Sequence, residues 1–300
     1  MPFNPLTDLL DALVELNDLK RITSAGRTGS IATRLFQQAW SGLAGGAEPR
    51  QVAAWTTGRA LAAARLGDLD EAVLVAAGVA PAEAQAIVQA AIDALGPVLD
   101  PAVRAFVAPG LGWQPPASVV APPFVEALCA QPRAGITCPG KPRIMLEPPE
   151  NHGEHCLMVA VYGVVLSTHY GADPTRVFLA ALAHHFHNAG MPDSGFTGEV
   201  LLGPLLETVM AHHAAACLRQ LAPSLRDVVE EARAVLPNDA TAEGRAFHAA
   251  DVLDRVLQLN QYMRAAALTP ERMLGEMELV HAGPVKDFQD NVLRQAGLLP

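Results

Sequence analysis

The sequence predicts an all-α protein, and three observations lead to that prediction. Apolar residues recur at three- and four-residue intervals through most of the chain, which is the spacing of one helix face. Several of these periodic stretches end at a glycine, the usual residue just beyond a helix C-terminus. The alternation that marks a half-buried strand is hard to find, and runs of β-branched residues are short and interrupted by proline.

The N-terminal part of the chain predicts four helices, one from each periodic stretch. In the second and third stretches a glycine, Gly45 or Gly67, follows the last periodic residue and marks the end of the helix. We assign residues 1–96 to an N-terminal helical domain. The stretches that predict its helices cover residues 6–19, 31–45, 51–67 and 82–96.

A proline-rich segment separates this domain from the rest of the chain. Twelve of the 24 prolines lie between Pro97 and Pro149, and proline is unfavourable both inside helices and in central strands. Residues 97–149 are therefore predicted to form a connector, with one short helix over residues 123–130. A second helical block over residues 150–300 is predicted to form the C-terminal domain.

The composition of the chain excludes some classes of function. A length of 300 residues favours two domains, and a content of 50% hydrophobic and 17% charged residues argues against disorder. The net charge is −10, so binding to a nucleic acid polymer is not expected. Small phosphorylated substrates stay open, because one cationic pocket or one metal ion reverses the local field.

The expected location of the protein is the cytoplasm. The first residues, MPFNPLTDLL, lack the basic start of a secretory signal. No apolar stretch of about 18 residues lacks polar breaks, so neither a membrane span nor a membrane partner is predicted. The four cysteines show no CxxC spacing, which is typical of free thiols in a reducing compartment. The sequence leaves a homo-oligomer open.

The two helical blocks are candidates for distant copies of each other. The sequence GAEP at residues 46–49 matches GADP at residues 171–174, and Asp70 falls opposite Asp193 when the two are aligned. Helical sequence rich in alanine also produces such matches by chance, so duplication and coincidence are both open. The N-terminal copy contains no histidine and therefore cannot hold the same metal as the C-terminal one.

All ten histidines lie after residue 150, in separate helical segments. Three of them, His184, His185 and His187, fall within four positions near the end of an apolar run. A lone histidine in a helix is usually a buried or a surface residue, but several helices that present histidines beside apolar faces favour a shared site. Imidazole suits Fe, Mn, Co, Ni and Zn, so the expected cofactor is one divalent transition metal of this group.

Three short motifs follow one another in the C-terminal block: Glu154-His155 before an apolar run, His184 in ALAHH, and Asp251 in HAADVLDRV. Their order and spacing resemble the HD-domain superfamily of metal-dependent phosphohydrolases. The signature of that family is a histidine, then a His-Asp pair, then a late aspartate. The resemblance covers roughly residues 140–270. It implies an HD-like helical bundle that binds metal and hydrolyses a phosphate ester, with a nucleotide as one candidate.

His185 stands where HD-domain proteins have the aspartate of the pair. That aspartate bridges two cations in binuclear members, whereas a neutral imidazole offers one lone pair and cannot bridge two closely spaced ions. The alternatives are a rearranged or second site that uses His212 or His213, and a degenerate site that binds no metal. The set that would hold a single metal is His155, His184, His185 and Asp251.

Candidates for proton transfer follow the His-His pair. In HD-type 5'-nucleotidases a glutamate lies three residues after the pair and an aspartate ends a Gly-Asp step; here Asn188 and Asp193 hold these positions. Asn188 cannot act as a base, because its amide does not titrate. Asp193 is either the residue that positions or deprotonates water, or a turn residue. His187 lies one helical turn from His184 and is either the missing acid or base, or a surface histidine.

Three further histidines and one arginine are candidates for additional metal or substrate contacts. His212 and His213 are adjacent on one predicted helix, and adjacent helical side chains diverge by about 100°, so one of the two is expected to face the site. His248 precedes Asp251 by three residues and either shares its face or packs against the bundle. Arg255 is a candidate phosphate contact by its charge alone.

The predicted function is metal-dependent hydrolysis of a small phosphorylated substrate. The GxSxG, Walker and HExxH motifs are absent from the sequence. Two alternatives stay open. One is a regulatory or interaction protein on an HD scaffold that has lost its chemistry, which His185 and Asn188 favour. The other is an HD-type iron oxygenase, which the loss of the bridging carboxylate disfavours.

Overall fold

The computed structural model describes residues 5–96, 98–116, 118–266 and 269–299, and it confirms the all-α prediction. These residues form 14 α-helices and contain isolated bridges but no strand. The helices are α1 Pro5–Asn17, α2 Ile31–Ala44, α3 Pro49–Leu66, α4 Glu71–Ala76, α5 Pro81–Asp93, α6 Pro101–Val107, α7 Pro123–Ala130, α8 His152–Tyr170, α9 Pro174–Ala183, α10 Gly195–Leu202, α11 Leu206–Leu218, α12 Pro223–Arg233, α13 Ala242–Ala266 and α14 Lys286–Gln295.

The proline-rich segment contains two helices rather than the single one predicted. Helix α7 coincides with the predicted residues 123–130. Helix α6 is additional, because Pro101 occupies its first turn and the Asp100 side chain accepts a hydrogen bond from the backbone N–H of Ala102. Proline at the first position of a helix costs no hydrogen bond and fixes a helical φ. A high proline content therefore did not exclude a helix here.

Helix α8 is the central helix of the molecule. Every residue from His152 to Ser167 is buried, as expected for a helix that is apolar on all sides. A capping box fixes its start: the Asn151 side chain accepts from the backbone N–H of Glu154, and the Glu154 carboxylate accepts from the backbone N–H of Asn151. Helices α2, α9 and α13 pack against α8.

One hydrophobic core connects the N-terminal and C-terminal halves, since its buried residues run from Leu6 to Ala296. The starts of α2 and α8 meet inside it, where Ser30 Oγ donates to Glu154 Oε1 at 2.5 Å and Thr33 Oγ1 donates to the same oxygen at 3.2 Å. The division into residues 1–96, 97–149 and 150–300 stays a prediction, and its boundary residue Pro97 lies outside the described residues.

One stretch, Gly195–Leu218, is long and apolar enough to cross a membrane by length and composition alone. This differs from the expectation of no such stretch, because its polar residues are too few to lower the mean hydropathy, 1.3, below that of a span. The stretch comprises α10, a 3-10 turn and α11, and Gly203 ends α10 with a φ of 51°. A single stretch of this kind does not make a multi-span membrane protein.

Candidate metal centre

Three helices bring the predicted metal ligands together. Helix α8 carries His155 in its first turn, and α9 ends at Ala183, so that His184 and His185 lie in the turn that follows it. Helix α13 supplies Asp251. Because α8 packs against both α9 and α13, these side chains meet at the point where one helix begins and another ends.

An aromatic side chain anchors the turn that holds the histidine pair. Phe186 is fully buried, and its ring centroid lies 5.5 Å from that of Trp40 and 4.7 Å from that of Phe124. The large apolar area of Phe186 fixes the backbone next to His185. The turn therefore follows from packing against helices of the N-terminal half and not from the local sequence alone.

Nitrogen and oxygen atoms converge in the centre. One ring nitrogen from each of His155, His184 and His185 lies within 4.8 Å of the others. The Nε2 atoms of His155 and His184 are 3.1 Å apart, and His155 Nε2 is 3.2 Å from Asp251 Oδ1. The structure thus brings together the four residues that the sequence analysis grouped as ligands of a single metal.

The second ring nitrogen of each histidine has an acceptor nearby. His155 Nδ1 lies 2.7 Å from Asp254 Oδ2, His184 Nδ1 lies 2.6 Å from the carbonyl of Ala181, and His185 Nδ1 lies 2.7 Å from Asn188 Oδ1. We assign the proton to Nδ1 in all three rings because each of these oxygens accepts a hydrogen bond.

This tautomer leaves three Nε2 lone pairs that have no proton of their own. Two such lone pairs 3.1 Å apart, beside a carboxylate oxygen, repel one another unless a cation lies between them. Burial and the charge of Arg133 lower the pKa of His155 to about 3. Burial also lowers the pKa of His184 and His185 well below the ordinary value. Neutral imidazoles of this kind are the form that binds metal ions.

A second group of possible ligands, Glu150, His155 and Asp254, already contains a cation. Lys20 Nζ lies 2.6 Å from Glu150 Oε1 and 2.6 Å from Asp254 Oδ1. Burial lowers the pKa of Lys20, but the two carboxylates outweigh that effect and raise it, so the amine keeps its charge. The ammonium group therefore neutralises this second group, which leaves the group of His155, His184 and His185 as the one that could hold a metal ion.

A cavity of about 220 Å³ opens beside the histidines. Arg133 and Arg255 line it together with His184, His185 and Asp251. Burial lowers the pKa of Arg133, but the surrounding carboxylates outweigh burial and raise it. Arg133 Nη1 is buried and has no hydrogen-bond partner in the part of the chain that the structure describes. An anionic group in the cavity would supply the missing acceptor.

Asp193 and His187, the predicted proton-transfer residues, lie differently with respect to the cavity. Asp193 lines it, but its carboxylate accepts hydrogen bonds from the backbone N–H groups of Ala134 and Gly195. Burial raises the pKa of Asp193, but a contact with His152 and these hydrogen bonds outweigh burial and hold it well below the usual range. His187 is buried and does not line the cavity, and burial lowers its pKa to about 3.

Of the four other residues predicted to contact metal or substrate, one lines this cavity and three do not. Arg255 lines the cavity and lies 3.6 Å from Asp251. His213 lines a different cavity, and His212 beside it is exposed. His248 is buried and packs on the ring of Phe247, outside the cavity lining. The structure therefore brings Arg255 to the candidate site and leaves the three histidines away from its cavity.

Four residues of the site were missed by the sequence analysis: Lys20, Arg133, Glu199 and Asp254. Asp254 follows Asp251 by three residues on one helix, a spacing that places both on one face, so the periodicity contained a signal for it. Lys20 and Arg133 lie in segments without any motif, and only the fold brings them to the site. Glu199 lines the cavity, and burial raises its pKa.

Comparison of the chain with protein-family models, with curated proteins and with solved structures finds no match in any of the three. The resemblance to HD-domain proteins therefore rests on the sequence motifs and stays a prediction. The described residues form an all-α scaffold with a cluster of imidazole and carboxylate groups that could hold a metal ion.

Proposed function

We propose that this protein is a metal-dependent phosphohydrolase that acts on a small phosphate ester in the cytoplasm. One observation carries the proposal: ring nitrogens of three histidines lie within 4.8 Å of one another, and Asp251 Oδ1 lies 3.2 Å from one of them, beside a cavity that two arginines line. The order of the motifs, which resembles that of HD-domain phosphohydrolases, supports the same reaction. A nucleotide remains one candidate for the substrate.

The ligand set fits one divalent transition metal. His155, His184, His185 and Asp251 offer three nitrogens and one oxygen, donors that suit Fe, Mn, Co, Ni and Zn. When bound there, such an ion supplies Lewis acidity towards a phosphoryl oxygen and towards water. This proposed ligand set contains a single carboxylate, Asp251, and His185 stands where HD-domain proteins have the bridging aspartate. We therefore propose that the set binds one ion rather than two.

The two arginines select an anionic substrate. Arg133 and Arg255 both line the cavity, and we infer that a substrate phosphate is held there by charge-assisted hydrogen bonds from these two side chains. A volume of about 220 Å³ accommodates a small molecule.

Proton transfer is best assigned to Glu199. A general acid or base works best when its pKa lies near the operating pH. The raised pKa of Glu199 moves in that direction, whereas Asp193 is held well below its usual range and His187 lies outside the cavity lining. Glu199 is thus our candidate beside Asp193 and His187, whose roles stay predictions from the sequence.

Metal analysis combined with a phosphatase assay tests the proposal. We expect the purified full-length protein to bind close to one equivalent of a transition metal. We also expect it to hydrolyse phosphate monoesters when supplied with Mn, Co or Fe. His184→Ala should lose both properties, and His212→Ala, whose imidazole is exposed, should keep both. A protein that binds no transition metal, or a His184→Ala variant with full activity, contradicts the proposal.

A second candidate function is a metal-binding regulatory protein without catalysis. His185 in place of the bridging aspartate and Asn188 in place of the glutamate favour it, because both changes remove carboxylates from the site. The two candidates differ in one measurement. Stoichiometric metal binding that depends on His184, without turnover of a broad panel of phosphate esters, would favour the regulatory protein.

A further inference from the structure

A second cavity, of about 350 Å³, lies among the helices of the N-terminal half. Three arginines line it, Arg27, Arg34 and Arg59, together with Trp55 and Asp68. It shares no lining residue with the cavity of the metal centre. The proposed function makes no use of it, so its charged wall needs a separate explanation.

The wall of this cavity holds three guanidinium groups and two carboxylates, those of Asp68 and Asp70. Arg27 Nη1 lies 2.9 Å from Asp68 Oδ1 and 2.7 Å from Asp70 Oδ2, and Arg34 also pairs with Asp68. Arg59 pairs with Glu71 outside the lining, so the three arginines face three carboxylates in all. Each guanidinium has five N–H donors in a planar fork, and these pairs engage only some of them.

Three polar atoms of residues in the wall are buried and find no hydrogen-bond partner among the residues described. Two are donors: the indole Nε1 of Trp55, a residue only 4% exposed, and Nε of Arg59, whose side chain is 10% exposed. The third is an acceptor, Oδ2 of Asp68. A buried donor without an acceptor is unfavourable. Arg59 uses Nη2 to bind Glu71 Oε2 at 3.0 Å, and its Nε–H is left for an oxygen acceptor.

The position of Arg34 matches that of a ligand in the metal centre. Arg34 follows the N-cap residue of α2, Ser30, by four residues, and His155 follows the N-cap residue of α8, Asn151, by four residues. The starts of these two helices meet in the core, as described above. Arg34 in α2 and His155 in α8 therefore occupy the same position in the first turn of their helices.

The position of Arg59 shows the same correspondence. Arg59 lies ten residues after Pro49, the first residue of α3, and His184 lies ten residues after Pro174, the first residue of α9. Both prolines end the matching sequences GAEP and GADP. Two arginines of the N-terminal half thus lie at positions that correspond to those of the two histidines whose Nε2 atoms face each other in the C-terminal half.

We propose that this second cavity is an oxyanion site, which binds the phosphate or carboxylate group of a small molecule. Imidazoles bind cations through their lone pairs, whereas guanidinium groups only donate hydrogen bonds. Arginines at these positions therefore suit an anion rather than a cation. The buried donors of Arg59 and Trp55 supply hydrogen bonds, and Arg27 and Arg34 supply charge. The site does not depend on the metal centre, because the two cavities share no residue.

Calorimetric titration of the full-length protein tests the proposal. Inorganic phosphate and succinate are titrated separately at constant ionic strength, and tryptophan fluorescence is followed in parallel. We expect saturable binding of one equivalent of at least one of these anions, and the comparison shows whether phosphate or carboxylate is preferred. Arg34→Gln and Arg59→Gln should each weaken binding about tenfold or more, because each removes charge-assisted hydrogen bonds.

Two control variants separate this site from other arginines. Arg65 lies on the same helix as Arg59, but its side chain is 40% exposed, pairs with Glu15 and does not line the cavity. Arg65→Gln removes this guanidinium. Arg219→Gln removes an exposed guanidinium of the C-terminal half that lines neither cavity. Both should bind as the wild type does. Absence of saturable binding to either anion overturns the proposal, as does equal weakening by Arg65→Gln or Arg219→Gln.

Circular dichroism establishes that each variant is folded. If Arg34→Gln or Arg59→Gln unfolds the protein, Arg59→Lys and Trp55→Phe take their place. Arg59→Lys keeps the charge beside Glu71 but removes the fork, and Trp55→Phe removes only the unpartnered N–H and part of the ring. Weaker anion binding in both variants supports the site, and wild-type affinity in both overturns it.

Discussion

Each imidazole of the metal centre is oriented through the nitrogen that does not face the site. His155 is oriented by Asp254, which is fully buried, His184 by a backbone carbonyl, and His185 by Asn188. These acceptors fix both the tautomer and the ring plane. Asn188, three residues after His185, is therefore the group that orients the His185 ring.

Substitution of Asp254 tests this orientation. We expect Asp254→Asn to lower the affinity for the metal by about 10- to 100-fold, because the acceptor for His155 loses its charge while the ligand set stays unchanged. Competition with a fluorescent chelator measures the affinity. Asp290→Asn, which removes a carboxylate paired with Lys286 on α14, is the matched control and should not change it. Equal affinities of Asp254→Asn and the wild type would contradict the assignment.

Lys20 is a buried cation whose side chain is 1% exposed between two carboxylates. Lys20→Met should lower the free energy of unfolding by about 3–5 kcal/mol, because it leaves the buried Asp254 without its counter-charge. Denaturation in urea measures the loss. Lys286→Met removes one partner of an ion pair on α14 that is more exposed, and its effect should stay below about 1 kcal/mol. Similar losses in the two variants would show that Lys20 has no special role.

At the scale of secondary-structure elements, the three histidines of the candidate site lie at helix ends. Helix α8 begins beside the site, α9 ends there, and α13 crosses it with its middle turns. A helix end exposes backbone groups that need partners, and those partners fix its position. The contact of Glu154 with Ser30 and Thr33 is such a link, since it ties the start of α8 to the start of α2.

Removal of the Glu154 carboxylate should weaken this link. Glu154→Ala leaves the hydroxyl groups of Ser30 and Thr33 and the backbone N–H of Asn151 without their acceptor, and we expect a loss of about 1–3 kcal/mol in the free energy of unfolding. Glu126→Ala on the exposed face of α7 is the control and should change stability by less than about 0.5 kcal/mol. If both variants are equally stable in urea denaturation, the link contributes nothing.

At the scale of the whole molecule, the two halves form one core around the site. Lys20 comes from the turn after α1, whereas its partner Asp254 comes from α13, so residues from both ends of the chain build the surroundings of His155. A metal bound to this site holds α8, α9 and α13 together. Metal binding should therefore stabilise the fold as a whole and not only a local segment.

Thermal and chemical denaturation with and without metal test this coupling. At a free metal concentration about 100 times the dissociation constant, the free energy of unfolding should rise by about 2.7 kcal/mol. A chelator should reverse the gain. His184→Ala should show no gain, since it lacks one of the convergent nitrogens. A gain of the same size in His184→Ala would show that the metal binds elsewhere.

Much of the local structure was predictable from the sequence, because it depends on neighbours along the chain. The periodic stretches and their glycines predicted α1, α2, α3 and α5 to within a few residues, whereas α4 was not predicted. Helix α6 was not predicted, since the overall proline content outweighed the favourable position of Pro101 at a helix start. The motifs also grouped His155, His184, His185 and Asp251, which the structure places together.

The sequence by itself determined the all-α class and the residue types available for a metal, because helical periodicity and histidine spacing are properties of the chain. Only the tertiary structure decided which groups surround that site. Three separate segments supply the surroundings: Asp254 contacts His155, Lys20 pairs with Asp254, and Arg133 lines the cavity beside the histidines. The cavity lining does not include His212, His213 or His248. The physical reason is that burial and long-range packing fix these distances, and no pattern of neighbouring residues encodes them.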